Sequence, residues 1–257
     1  MTWIELDGAV NVRDLAALAT DDGRVTASRR LLRGDNLQDL SPSDVRTLVT
    51  DIGVTSVVDL RSPGEVASEG PGPLTRIGSV RHSYHSVLPE RGTATDVAAD
   101  ALAVRRDGAA SRYPDDIRCG YYLGYLEDRP EQVVGALRSI TQAAGAALVN
   151  CAAGKDRTGV VVALALTAVG VRREAVIADY AASAERMEAI LGRLRASKTY
   201  ASDIDGTPAA EQAPRPQTMA AFLGQLDSRF GGVLGWLAER GFGPSDVSAL
   251  RAKLVAT

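Results

Sequence analysis

The stretch LVNCAAGKDRTG (Leu148–Gly159) decides the fold, because it joins two apolar runs of different length through a turn of small and charged residues. On its amino side, GAALVN has the length and apolarity of a buried strand. On its carboxyl side, RTGVVVALALTAVG has the length of a buried helix. Strand–turn–helix is therefore predicted, with Cys151 to Arg157 forming the turn. Such a turn gathers backbone N–H groups at the positive end of a helix, an arrangement that favours a tetrahedral oxyanion. Arg157 adds a planar fork suited to two oxygens of a phosphate or sulfate. Cys151 stands where those donors stabilise a thiolate, ready to displace a leaving group from a phosphorus held by Arg157. Gly154 lets backbone approach closely, Gly159 lets the helix pack, and the Thr158 hydroxyl is placed to serve the departing thiolate.

Rival readings of the turn fit less well. A Walker A loop needs Ser or Thr after its lysine and a glycine five residues before Gly154, whereas Asp156 follows Lys155 and Val149 holds the other position. A sulfur-transfer loop would use the cysteine but has less need of the arginine. A merely structural cysteine does not account for Lys155, Asp156, Arg157, Thr158 and two glycines in register.

The 257 residues suit one large domain or two small ones. Hydrophobic residues make up 45% and charged residues 24%, a globular balance. Twenty-nine basic against 32 acidic residues give a net charge of −3, which is no footprint for nucleic acid. The start, MTWIELDGAVNVRDL, lacks the basic and apolar regions of a signal peptide, so the cytoplasm is the default location. The run Val160–Val171 is too short for a membrane span. Cys119 and Cys151 leave room for one disulfide, though nothing else suggests a secreted scaffold. Abundant Ala, Arg, Gly and Val suits a GC-rich bacterial genome.

Elsewhere, Ser41 with Pro42 and Asp44 predicts a helix start, with Gly53 past its end. VTSVVDLRS (Val54–Ser62) reads as a buried strand ending at Asp59 and Arg61, and IGSVRHSYHSVL reads as another. Helices are expected over Ile117–Leu126, Pro130–Ala144 and, as one long element, from Arg173 to Ser197. After a Pro-rich loop, closing helices are expected near Thr218–Arg229, Gly232–Arg240 and from Ser245. Alternating strands and helices give an α/β class: a central, mainly parallel sheet flanked by helices, in a single domain of residues 1–257. A helical lid insertion is placed over residues 89–128. Asp59–Arg61 and Cys151–Arg157 both fall at strand carboxyl ends, where ligands of such folds sit.

Cys-x-x-x-x-x-Arg-Thr-Gly resembles the signature loop of the cysteine-dependent protein tyrosine phosphatase superfamily, and CAAGKDRTG resembles its bacterial tyrosine and phosphoinositide phosphatase branch. NVRDL (Asn11–Leu15), LLRGDNLQDLS, VVDLRSPGEV and FLGQLDSRFGGVLGWLAERGF are similar to further segments of that branch. The resemblance implies Cys151 as nucleophile and Arg157 as phosphate clamp, with Ala152, Ala153, Gly154, Lys155, Thr158 and Gly159 around the phosphate. It implies a phosphorylated substrate (phosphoprotein, phosphoinositide or small phosphate ester) and no metal or organic cofactor. No Trp-Pro-Asp segment is present to carry a general acid. Asp156 ranks first for that role, since it is tied to the loop, followed by Asp59 and then Asp115. Asp59 reads equally as a partner of Arg157 or of a loop N–H, and Asp115 as the cap of the helix from Ile117. Arg13 and Asp14 read either as loop supports or as a surface ion pair. His82 and His85 point to opposite strand faces, which disfavours a shared metal.

One position departs from the pattern. The family carries His before its nucleophile, and here Asn150 stands there, able to hydrogen-bond but not to carry charge. Slower turnover near neutral pH is the expectation. A small-molecule phosphatase of a biosynthetic pathway and a weakly active phosphate-binding module are the alternatives.

Overall fold

The computed structural model describes residues 1–88, 116–201 and 208–256. Among the described residues, six strands form one sheet: β1 (Thr2–Trp3), β2 (Arg13–Asp14), β3 (Leu31–Gly34), β4 (Val54–Asp59), β5 (Arg81–Tyr84) and β6 (Ala146–Asn150). Their order is β1-β2-β3-β6-β4-β5. The last four in that order run parallel, while β1 and β2 add an antiparallel edge. The mainly parallel α/β expectation holds, although the reading of the chain gave neither the β1–β2 edge nor β3. Two-residue strands carry no periodicity to read, and LLRG is as short as a strand can be and still show one.

Both faces of the sheet are covered, as parallel sheets require. Alternation along β6 sends Ala147 and Val149 into the larger core and Leu148 into the smaller one. Val58 and Val57 of β4 divide in the same way.

The first helix starts at the cap that Ser41 predicts, whereas the reading of Val54–Ser62 as one strand does not anticipate a helix from Pro63. Ser41 and Asp44 form a reciprocal capping box for α1 (Pro42–Arg46), which runs on as a π-helical turn to Ile52 and stops at left-handed Gly53. Ser62 and Glu65 form a second box for α2 (Pro63–Glu69). Next come α3 (Ile117–Asp128), α4 (Pro130–Gln142) and α5 (Asp156–Ala168). The expected long helix from Arg173 is instead three pieces: α6 (Arg173–Ala182), a 3-10 turn (Ser183–Arg186) and α7 (Met187–Ala196). Its break falls where Asp179 and Ser183 turn inward to meet Arg13. A short α8 (Ala209–Gln212) precedes α9 (Pro216–Phe230), α10 (Val233–Ala238) and α11 (Pro244–Leu254).

Of the span assigned to a lid, residues 89–115 lie outside the described residues. The rest, α3, is packed in the larger core through Tyr122, Leu123 and Leu126. Asp116 caps that helix, accepting from the Arg118 and Cys119 amides at 3.1 Å.

Candidate active site

Register brings the carboxyl ends of the four parallel strands level. Gly34 pairs with Asn150, Asn150 with Asp59, and Asp59 with Tyr84. β6 lies between β3 and β4, so Cys151 leaves the sheet from its interior, where parallel α/β folds place ligands.

The loop that follows is held by its carbonyls. Ala152 O accepts from the Asn36 amide at 3.0 Å, and Ala153 O from Asn11 Nδ2 at 2.9 Å. Gly154 O and Lys155 O accept from Arg33 Nη2 at 2.7 and 3.3 Å. Four successive carbonyls tied to the scaffold leave the intervening N–H groups for the concave side, the disposition of an anion nest at the start of α5. Gly154 is required by this turn: its φ is +66°, and a Cβ would come within 2.5 Å of the Gly34 carbonyl. At Gly159 a Cβ would meet the Tyr180 ring at 2.9 Å, so its absence seats α5 against α6.

Behind the loop lies a buried charge cluster. Arg13 Nε and Arg33 Nη1 reach the two oxygens of Asp179 at 2.8 and 2.6 Å. Arg13 also donates to Asn11 Oδ1 at 2.8 Å, so one arginine orients the residue that holds Ala153 and the other holds Gly154 directly. Burial together with Arg33 brings Arg13 down to about 10, while for Asp179 burial is outweighed by the two arginines, which keep it ionised. Arg13 is therefore fully buried behind the loop and is not a surface ion pair. Asp14 is not part of this arrangement: it accepts from the Arg29 amide at 2.8 Å, on the opposite face of β2.

Arg157 is clamped by Glu65, with Nη1–Oε2 at 2.6 Å and Nη2–Oε1 at 2.8 Å. Tyr200 donates to the same carboxylate at 3.1 Å. For Glu65, burial opposes ionisation, yet Arg157 and the Ser62 donors outweigh it and lower the carboxyl to about 2. The capping box that starts α2 thus also fixes the carboxylate that orients Arg157. Asp59 is not the partner of Arg157. It is bound by Arg61 through Nε at 2.9 Å and Nη2 at 2.5 Å, and Arg61 in turn donates to Asn36 Oδ1 at 3.0 Å. That chain ends on the Ala152 carbonyl, so Asp59 and Arg61 brace the loop.

Asp156 keeps 31% of its side chain exposed, against 5% for Asp59. It accepts from Tyr122 at 2.5 Å and pairs with Lys155 at 3.1 Å. Burial works against its charge, but Lys155 and Tyr122 prevail and hold it below the usual carboxylate value. Lys155 also reaches the Gln212 carbonyl at 2.7 Å. Thr158 is fully buried at the first turn of α5. Cys119 and Cys151 are both free thiols and form no disulfide.

Asn11, Arg33, Glu65, Tyr122, Asp179, Tyr180 and Tyr200 escaped the sequence reading as site residues. For Glu65 a signal existed, because Ser62-x-x-Glu65 is a capping box. Asn11 and Arg33 lie in segments singled out only for their resemblance.

The profile of the tyrosine phosphatase family matches residues 4–256. The chain belongs to the tyrosine phosphatase family. It is a phosphatase enzyme of that family. Among its relatives is the triple specificity protein phosphatase PtpB of Mycobacterium tuberculosis, 31% identical over 98% of both chains. A putative tyrosine-protein phosphatase of Cupriavidus necator is 31% identical over 71% of this chain and 63% of its own. A tyrosine-protein phosphatase of Nostoc commune is 28% identical over 87% of this chain and 73% of its own. No helix of the described residues is long and apolar enough to cross a membrane.

Proposed function

We propose that this tyrosine phosphatase family member hydrolyses phosphomonoesters through a phosphocysteine on Cys151. The observation that carries the reading is the loop itself: carbonyls 152–155 are tied outward around a buried cysteine, with Arg157 fixed by Glu65 at its end. In the first step the Cys151 thiolate attacks phosphorus, the phosphorus–oxygen ester bond breaks, and Asp156 gives its proton to the leaving oxygen. The incoming phosphate dianion favours that proton by raising the Asp156 carboxyl from its low resting value. In the second step water attacks phosphorus, Asp156 takes the water's proton, and the Cys151–phosphorus bond breaks. The loop amides and Arg157 hold the equatorial oxygens throughout. Thr158 Oγ donates to the leaving thiolate, and buried Lys155 lends its charge beside Asp156.

The substrate class is phosphotyrosine or a phosphoinositide, in keeping with the branch that the loop resembles; the name of the mycobacterial relative says only that it is a protein phosphatase of triple specificity. The test is hydrolysis of p-nitrophenyl phosphate, phosphotyrosine peptide and phosphoinositide by wild type and Cys151→Ser. Turnover in wild type, its loss in Cys151→Ser and an adduct of one phosphoryl group on Cys151 after rapid quench are expected. Equal rates in the two proteins would overturn the mechanism.

A further inference from the structure

On the smaller-core side of the sheet, beneath the strand ends that carry the loop, lies a cavity of about 20 Å³. It adjoins the pair Asp59–Arg61 and is lined also by Asn150, Gln38 and His82. These last three each have buried side-chain atoms without a partner among the described residues: both Nδ2 and Oδ1 of Asn150, Oε1 of Gln38 and Nε2 of His82. Asn150 is 1% exposed. Leaving one such group unsatisfied costs roughly 1–3 kcal/mol, so four around one cavity call for a shared partner. An ordered water needs roughly 10–15 Å³ of such space and two to four polar contacts, and this cavity supplies both.

The strand pattern explains the convergence. Val57 pairs with Leu148 and His82, and Asp59 pairs with Asn150 and Tyr84, so alternation puts His82, Asp59 and Asn150 on one face of three adjacent strands. With the neutral ring's hydrogen on Nδ1, the unpartnered Nε2 presents its lone pair.

We propose that this cavity is a water site and that His82 is a positioning residue for the Cys151 loop, acting through that water and Asn150. With His82 neutral, the water donates to Nε2 and accepts from Asn150 Nδ2. When Nε2 takes up a proton from solvent it becomes a donor, the water turns to donate to Asn150 Oδ1, and a positive charge stands behind Cys151. The other titratable or charged groups lining the cavity are Asp59 and Arg61, which neutralise each other, and half-exposed Tyr84. Burial lowers His82 from its ordinary 6.5, so the charge arrives only in acid. An uncharged residue at 150 thereby relays a charge that it does not carry.

The inference rests on the reading of Cys151 as a reactive thiol, and its test reads that thiol directly, apart from hydrolysis. Iodoacetamide alkylation of Cys151, followed by mass spectrometry to separate it from Cys119, is compared in wild type and His82→Gln. At about pH 5 the wild type reacts about threefold faster, and at about pH 8 the two react equally; threefold corresponds to about half a titration unit. Equal rates at both pH values would overturn the proposal. A second measurement needs only wild-type protein, whose two histidines are resolved by imidazole nitrogen resonances. Linkage is reciprocal, so blocking Cys151 with iodoacetamide lowers the His82 midpoint by at most about half a unit, in proportion to the thiolate present there, and leaves His85 unchanged. An unmoved His82 midpoint would count equally against the water link. Either result stands whether or not Cys151 proves to be the hydrolytic nucleophile.

Discussion

Tyr122 donates its phenolic hydrogen to Asp156 Oδ1 across 2.5 Å, and Tyr180 meets Tyr122 at 2.7 Å behind it. Both rings are buried against α5 and α9, so the carboxylate proposed as general acid sits at the end of a fixed hydroxyl chain. Charge-assisted donors of this kind stabilise the anion and keep the side chain from wandering.

Removing that donor therefore raises the Asp156 carboxyl. In Tyr122→Phe the limb of the kcat–pH profile that reports a protonated acid moves to higher pH by about 0.5–1 unit. The measurement is turnover of phenyl phosphate, whose leaving oxygen needs a proton. A limb unchanged in Tyr122→Phe would remove Asp156 from that role.

Asp156→Asn separates substrates by leaving group. Phenyl phosphate turnover falls by about 10²–10⁴, while p-nitrophenyl phosphate, whose phenolate leaves without help, falls far less. Steady-state kcat for the pair checks this.

Glu65 links the site to stability. Its folded value of about 2 lies below the ordinary 4.5, a depression of about 2.5 units that is worth on the order of 3 kcal/mol. For a depressed carboxyl, the stabilisation is fully present above the ordinary value and lost as pH falls toward the folded one. In urea titrations, wild type then exceeds Glu65→Gln at pH 7, and the difference shrinks between about pH 4.5 and about 2. The variant's Arg157, released from its clamp, also binds phosphate more weakly, which an increase in KM reports.

Asp179→Ala strands Arg13 and Arg33 without a counter-charge in the core. Breaking a buried pair from one side costs about 3–5 kcal/mol, which thermal unfolding would show as a large drop in Tm. Retention of wild-type Tm would refute the placement of these groups.

Gly154→Ala forces a Cβ into the Gly34 backbone at a left-handed φ. The loop must shift to relieve the overlap, and a displacement of about 1 Å costs roughly 10² in kcat. Gly78→Ala, where a Cβ meets nothing within 4 Å, is the matched control.

Local rules were enough for much of this. The strand–turn–helix about Cys151, the cap at Ser41 and the buried run of α5 depend on residues within a few positions of each other, so they were legible in order along the chain. So was the pairing of Cys151 with Arg157, because one loop carries both. The break after Ala182 was not: period-3.6 spacing continues through it, and only the pull of Arg13 on Asp179 and Ser183, from more than 160 positions away, interrupts the helix.

By itself, the sequence determined the α/β alternation, the strand–turn–helix about Cys151 and the resemblance that names the family. Tertiary structure alone decided which acidic residue met which arginine. Asp59 ends the strand beside β6 and Glu65 lies on α2, yet Arg61, two residues along, captures Asp59, and Glu65 is left for Arg157. Ion pairs in a desolvated interior form between groups that folding brings within hydrogen-bond reach, and such reach is a property of strand register and helix placement that sequence spacing does not record.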